Sequence, residues 1–222
     1  PVASESDVEL AMAETFRGVP GLPVVVSSAQ NIDRLVTVYR AARRAGRTLL
    51  IDLYTATVAA ATGRATIPQV GFPALGVYIP QRQRVRVKTS REFHRTHAIR
   101  AHRVFPEALA AAPDRYVLLS GSSTVPELLR DPAVNVGVVV WSLWSGYLAQ
   151  ASGVRLRAQV AAARVPLVEH HTSGHAPLPD LKRLVAAIRP QQVVPIHTEG
   201  AHEFASHFPD VAPREDGTWW TV

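Results

Sequence analysis

The chain has 222 residues, room for one large domain or two small ones. Hydrophobic residues make up 47% and charged residues 19%, which supplies a core and excludes a disordered chain. The net charge of +6 is local: Arg82, Arg84, Arg86, Lys88, Arg91, Arg95, Arg100 and Arg103 face the single acid Glu92, a stretch of formal charge +7 suited to polyanions.

In chain order, Ser6-Asp7-Val8-Glu9 has the spacing of a capping box and predicts a helix through Phe16. Leu22 to Ser27 is a short β-branched run that predicts a buried strand. A helical stripe of Ile32, Leu35, Val36, Tyr39 and Ala42 follows, closed by Gly46. Strand Thr48–Asp52, a helix from Leu53 to Thr62 and strand Leu75–Ile79 come next, and residues 64–95 are the least regular part. A helix is expected around His97 to Ala111, with Pro106 at a boundary or kink. Strands Tyr116–Ser120, Val134–Val140 and Val165–His170, a helix over Leu178–Ile188 and a strand over Gln192–Ile196 complete the pattern. Apolar strands alternating with helices predict an α/β fold built on a mostly parallel, Rossmann-like sheet.

Cysteine is absent, which excludes a disulfide scaffold, a cysteine zinc finger and a thiol nucleophile. The longest apolar stretch, Val134 into Trp144, is too short for a bilayer, so no membrane partner is expected. No charged-then-apolar leader opens the chain, so a cytoplasmic protein is expected. The first residue is Pro1 rather than Met, as expected of an excised or processed piece.

All nine histidines follow residue 93. His94 and His97 lack acidic companions and are read as surface residues. His170-His171-Thr172-Ser173-Gly174-His175 follows a predicted strand and precedes a helix, where open α/β sheets bind ligands. Twenty-two positions later, Pro195-Ile196-His197-Thr198-Glu199 places another histidine at a strand end. A strand–helix–strand unit brings His175 and His197 to one sheet edge, and imidazole is a common zinc ligand.

Ser173-Gly174-His175-Ala176, Asp180-Leu181, Pro190 and Pro195-Ile196-His197-Thr198-Glu199 resemble the end of a metallo-β-lactamase-fold hydrolase of the β-CASP group. That group includes ribonuclease J and the endonucleases that cleave messenger-RNA 3′ ends. Val26 to Arg34 and Ala41 to Arg47 resemble the opening of the β-CASP insert, and Leu119–Ser123 and Val140–Tyr147 its later strand ends. The resemblance implies that His175 and Ser173 hold the scissile phosphate, that His197 ligates one of two zinc ions, and that the substrate is RNA. In that scheme Arg34, Arg82, Arg84, Arg86 and Lys88 track the nucleic-acid backbone. Ser120, Ser122 and Ser123 bond phosphates or riboses or, as an equal alternative, form a simple turn. Trp141, Trp144 and Tyr147 stack on bases or, as the weightier alternative, pack in the core.

The family's His-x-His-x-Asp-His metal loop is missing, and Glu5, in a helix-start context, is a poor substitute for its next acidic element. The expected organisation is therefore a connecting helix (1–18), a β-CASP-like α/β domain (19–160) and the closing strand–helix–strand part of a metallo-β-lactamase fold (161–222). The expected function is a zinc-dependent RNA nuclease, catalytically incomplete as this chain, partnered by RNA or single-stranded nucleic acid and by a missing amino-terminal half in cis or in trans. Homodimerisation is left open. The alternatives are a hydrolase of a small phosphorylated or ester substrate and a non-catalytic nucleic-acid-binding module. The latter lacks a Gly-x-Gly-x-x-Gly element, since Ser27 to Asn31 follow the first strand.

Overall fold

Ser4 caps the first helix: its side chain accepts from the Asp7 backbone N–H, and the Asp7 carboxylate accepts from the Ser4 N–H at 2.8 Å. This reciprocal cap lies two residues ahead of the predicted Ser6–Glu9 pair. The structure, a computed structural model, describes residues 3–196 and 198–221, which divide into one unit up to Thr172 and another from Ser173 onward.

In the first unit, α1 (Glu5–Gly18) buries Val8, Met12, Ala13 and Phe16. Strand β1 (Leu22–Val26) leads to α2 (Ile32–Arg44), capped by Asn31, and then to β2 (Thr48–Asp52). The buried stripe of α2 runs through Arg34, Leu35, Val38, Tyr39, Ala41 and Ala42. It is shifted from the predicted stripe, with Ile32 and Val36 only half-buried, because α2 packs on α1 as well as on the sheet. Asp52 caps α3 (Leu53–Ala61), after which β3 (Leu75–Tyr78) enters the sheet. The basic segment, expected to be irregular, forms α4 (Gln81–Ser90).

The single helix expected over 97–111 is instead divided into α5 (His94–His97), the two-residue strand β4 (Arg103–Val104) and α6 (Pro106–Ala111). Pro106 occupies the first helical position, where its missing N–H costs nothing. Strand β5 (Tyr116–Ser120), α7 (Val125–Arg130), β6 (Val136–Trp141), α8 (Ala151–Ala162) and β7 (Leu167–Glu169) complete the unit.

The fold is α/β, with a seven-stranded sheet of order β4-β3-β2-β5-β1-β6-β7 in which every pairing is parallel. Its central strands read as unbroken apolar runs because helices cover both faces. Successive side chains serve opposite faces: Val25 joins Phe16, Leu35, Val38 and Ile51, whereas Val24 and Val26 join Leu50, Leu118, Leu128 and Leu156. Gly137 lets the entry to β1 pass close to β6, since a Cβ there would lie 2.0 Å from the Pro20 carbonyl oxygen.

The second unit contains α9 (Leu178–Ile188), as predicted, ended by Arg189 in the left-handed region at φ 50°. The strand expected over 192–196 is reduced to one parallel bridge between Val193 and Val211. Phe204 and Phe208 stack with ring centroids 5.6 Å apart. Among the described residues, no helix is long and apolar enough to cross a membrane.

Candidate functional site

The carboxyl ends of the strands gather most of the polar side chains singled out in the sequence. At the ends of β1, β6 and β7 the organiser is Arg34, whose side chain is fully buried. Its Nη2 donates to Glu5 Oε1 at 2.8 Å and to the Thr172 carbonyl at 3.3 Å, and its Nε donates to Glu5 Oε2 at 3.2 Å. Nη1 faces the Ser142 hydroxyl and carbonyl, the His170 carbonyl at 3.4 Å and His171 Nδ1 at 3.3 Å. The guanidinium therefore ties α1 to the exits of β6 and β7. The expectation that Arg34 tracks nucleic acid is corrected here, because its donors are engaged inside the protein and none is exposed.

Glu5, set aside in the sequence as a helix-start acid, is the counter-charge of this clamp. Burial pushes its carboxyl upward, but the hydrogen bonds from Arg34 and Thr37 and the Arg34 charge together hold it below its ordinary value. Thr37 donates to the same carboxylate at 2.6 Å. His170 and His171 are both shifted down, chiefly by burial, and for His171 also by the Arg34 charge. His170 Nε2 lies 2.8 Å from the Thr15 hydroxyl.

On the other side of β1 the ends of β2 and β5 form a second network. Asp52 accepts from the Thr55 N–H at 2.7 Å, and the Ser120 hydroxyl lies 2.7 Å from Asp52 Oδ2 and 2.8 Å from Thr124 Oγ1. All three side chains are buried. Ser120, expected to bond phosphate or ribose, is thus committed to Asp52 and Thr124. Ser122 is exposed in the short turn that follows.

Helix α4 presents Arg82, Arg86 and Lys88 to solvent, while Arg84 is half-buried with its guanidinium 4.0 Å from Glu127. Glu127 also accepts from the Gln81 N–H at 2.9 Å, which places a negative charge at the start of α4. Burial, with the Glu127 charge beside it, pushes the Tyr78 phenol up to about 12. A cleft of about 550 Å³ opens between Ser27, Ser28, Asp52, Tyr54, Gly121 and Ser123 on the strand ends and Arg82, Arg86 and Arg95 above them. Trp141 is core, as the weightier alternative held, whereas Trp144 and Tyr147 are 60% and 45% exposed and meet edge-to-face at 5.3 Å.

In the second unit, Ser173, Gly174 and His175 form an exposed turn in which the Ser173 hydroxyl accepts from the His175 N–H at 3.0 Å. His197 lies outside the described residues. His94 and His97 are exposed, in line with the surface reading. Among the described residues no group of three His, Asp or Glu side chains is placed to hold a metal ion. The described donor set alone therefore does not fit a complete zinc site.

The comparisons with known proteins bear on this second turn. Residues 164–212 match the family model of the Zn-dependent metallo-hydrolase RNA specificity domain. The match spans both histidine motifs and supports the metallo-β-lactamase-fold family that they resemble. No curated protein matches the chain. Among solved structures the chain is similar to the crystal structure of a protein of unknown function from Enterococcus faecalis V583, with 15% sequence identity and a TM-score of 0.67. The likeness covers 98% of this chain and 45% of that one, so the chain spans less than half the length of that relative. At this identity the likeness is one of fold.

Sequence reasoning set Glu5 aside, gave His171 no role of its own, and missed Asp52 and Thr124 as site residues. A signal for the Arg34 clamp was present, since Arg34 stands four and seven positions before Val38 and Ala41 and so shares the core-facing side of α2.

Proposed function

We propose that the chain is the insert and carboxy-terminal part of a zinc-dependent β-CASP metallo-hydrolase, a nuclease acting on RNA, whose amino-terminal metal-binding half is supplied in cis or in trans. The observation that carries this reading is the RNA-specificity-domain match over residues 164–212, which contains Ser173-Gly174-His175 and His197. In this organisation residues 1–18 connect, 19–160 are the insert and 161–222 close the hydrolase domain. The zinc pair of the complete enzyme would activate water and neutralise charge on the phosphate. His197 would be this chain's ligand.

His175 and Ser173 are assigned to the scissile phosphate. Both are exposed on a turn where Gly174 carries no side chain, which leaves room for a phosphate oxygen near imidazole and hydroxyl donors. Arg82, Arg86 and Lys88, exposed on one basic helix, are assigned to RNA backbone contacts together with Ser122 and the half-buried Arg84. The buried Arg34 and Ser120 are given structural roles. Neutralisation of one phosphate by each of the three exposed cations on a single strand gives a log–log salt slope of about −2, Arg84 being shared with Glu127.

The test uses the purified chain and end-labelled single-stranded RNA. Salt-dependent binding without zinc-dependent cleavage is expected, with cleavage appearing when a polypeptide carrying the His-x-His-x-Asp-His loop is added. Zinc-stimulated cleavage by this chain alone overturns the incompleteness, and absence of RNA binding overturns the substrate class.

A further inference from the structure

The cleft of the first unit holds Ser27, Tyr54 and Gln83, which the hydrolase reading does not use. Its floor lies between β1 and β5, adjacent strands whose connections leave in opposite senses: β1 runs through α2 to β2, and β5 runs through α7 to β6 on the other side. Doubly wound sheets bind ligands at such a switch point, outside the carboxyl ends of the strands. A volume of about 550 Å³ lies within the usual range for small-molecule sites.

The polar atoms around it are unevenly satisfied. Ser27, only 5% exposed, lines the cleft with a buried hydroxyl that has no hydrogen-bond partner among the described residues. The same is true of the buried Oε1 of Gln83, on the opposite wall. The cleft's acids are already engaged: Asp52 with Thr55 and Ser120, Glu127 with the Gln81 N–H, and Glu92 with Arg95 at 3.2 Å. Arg82 and Arg86, four residues apart on one face of α4, have no acidic partner among the described residues. Such a like-charged pair weakens an isolated helix, and a bound phosphate between the two guanidinium groups relieves it. Tyr54, 52% exposed at the rim, offers a ring face of the kind on which bases stack.

We propose that this cleft binds a 5′-nucleotide, with Arg82 and Arg86 on the phosphate, Ser27 and Gln83 on sugar or base polar groups, and Tyr54 against the base. The nucleotide is either free or one unit of an RNA chain, since both present the same chemistry. All of these residues belong to the first unit, and the test reads binding rather than cleavage. Arg82 and Arg86 are shared with the RNA contacts of the hydrolase reading, and to that extent the proposal rests on it, whereas Ser27, Gln83 and Tyr54 are used only here. Loss of the AMP site would leave zinc-dependent cleavage with the added amino-terminal half intact, so the two failures are told apart.

Calorimetric titration of the full chain with AMP, inorganic phosphate and 5′-phosphorylated penta-adenylate decides the matter. Saturable AMP binding is expected, at least tenfold tighter than phosphate. R82A/R86A is expected to weaken it tenfold or more and Y54A several-fold, with circular dichroism confirming retained helix content. The charge-matched variant R155A/R157A, altered at exposed positions of α8, leaves it unchanged. Penta-adenylate that competes with AMP identifies an RNA segment as the source, and penta-adenylate that does not compete identifies a free nucleotide; both support the site. AMP no tighter than phosphate, AMP binding indifferent to R82A/R86A or to Y54A, or equal loss in R155A/R157A overturns it.

Discussion

Replacing Arg34 with Met keeps an apolar stem of similar length in α2 and deletes every donor of the clamp. It leaves the Glu5 carboxylate, the Ser142 hydroxyl and the carbonyls of His170 and Thr172 without their shared partner. Removing one member of a buried ion pair costs about 3–5 kcal/mol. The Glu5 side chain is 38% exposed, so water recovers part of that loss and the expected cost is about 3 kcal/mol. For a chain of this size that corresponds to a fall in Tm of about 6–12 °C. Glu5→Gln keeps a hydrogen-bonding partner and is expected to cost only about 1 kcal/mol. The double variant should cost less than the sum of the two, because the partners are coupled. Urea unfolding read by hydrogen exchange on peptides covering β1 and β6 isolates the first unit. A loss below about 1 kcal/mol for Arg34→Met would refute the clamp as a principal tie of this sheet edge.

Further outcomes follow from the same geometry. Gly137→Ala should destabilise by about 3 kcal/mol or more in thermal melts, because its Cβ meets backbone at 2.0 Å rather than a yielding side chain. Asp52→Ala removes the α3 cap and one partner of Ser120, at about 2–3 kcal/mol in the same assay. Glu5, His170 and His171 all have depressed values when folded, so the unfolded chain binds protons more readily at each. Stability should therefore decline as pH falls, first through the histidine range below 6.5 and then again below 4.5. His170→Gln/His171→Gln should flatten the upper phase in denaturant midpoints measured against pH.

The strand runs were legible because buried parallel strands have no polar alternation, so Leu22 to Val26 and Tyr116 to Ser120 announce themselves by composition. Strand β4 was not legible: Arg103-Val104 is a two-residue edge strand inside a basic stretch, formed by pairing with β3 rather than by local preference. Helix α4 was obscured by its charge density, since Gln81 to Ser90 holds four cations and no acid, and its start is stabilised by Glu127 from forty-six residues away. The match over residues 164–212 falls where the two histidine motifs stand in the sequence. The roles of Arg34 and Ser120 were misjudged because residue type was weighed above helical position and strand-end burial, and a cation without an exposed donor does not reach a phosphate.

The order of the sheet also constrains how the chain is made. Strands β1 and β2 are consecutive in sequence but do not touch; β5 lies between them and bonds to both. Until Tyr116–Ser120 has left the ribosome, each of the first two strands lacks a central neighbour. A nascent chain halted before that point presents unpaired strand edges among largely apolar side chains, the species on which chaperones act and from which aggregates grow.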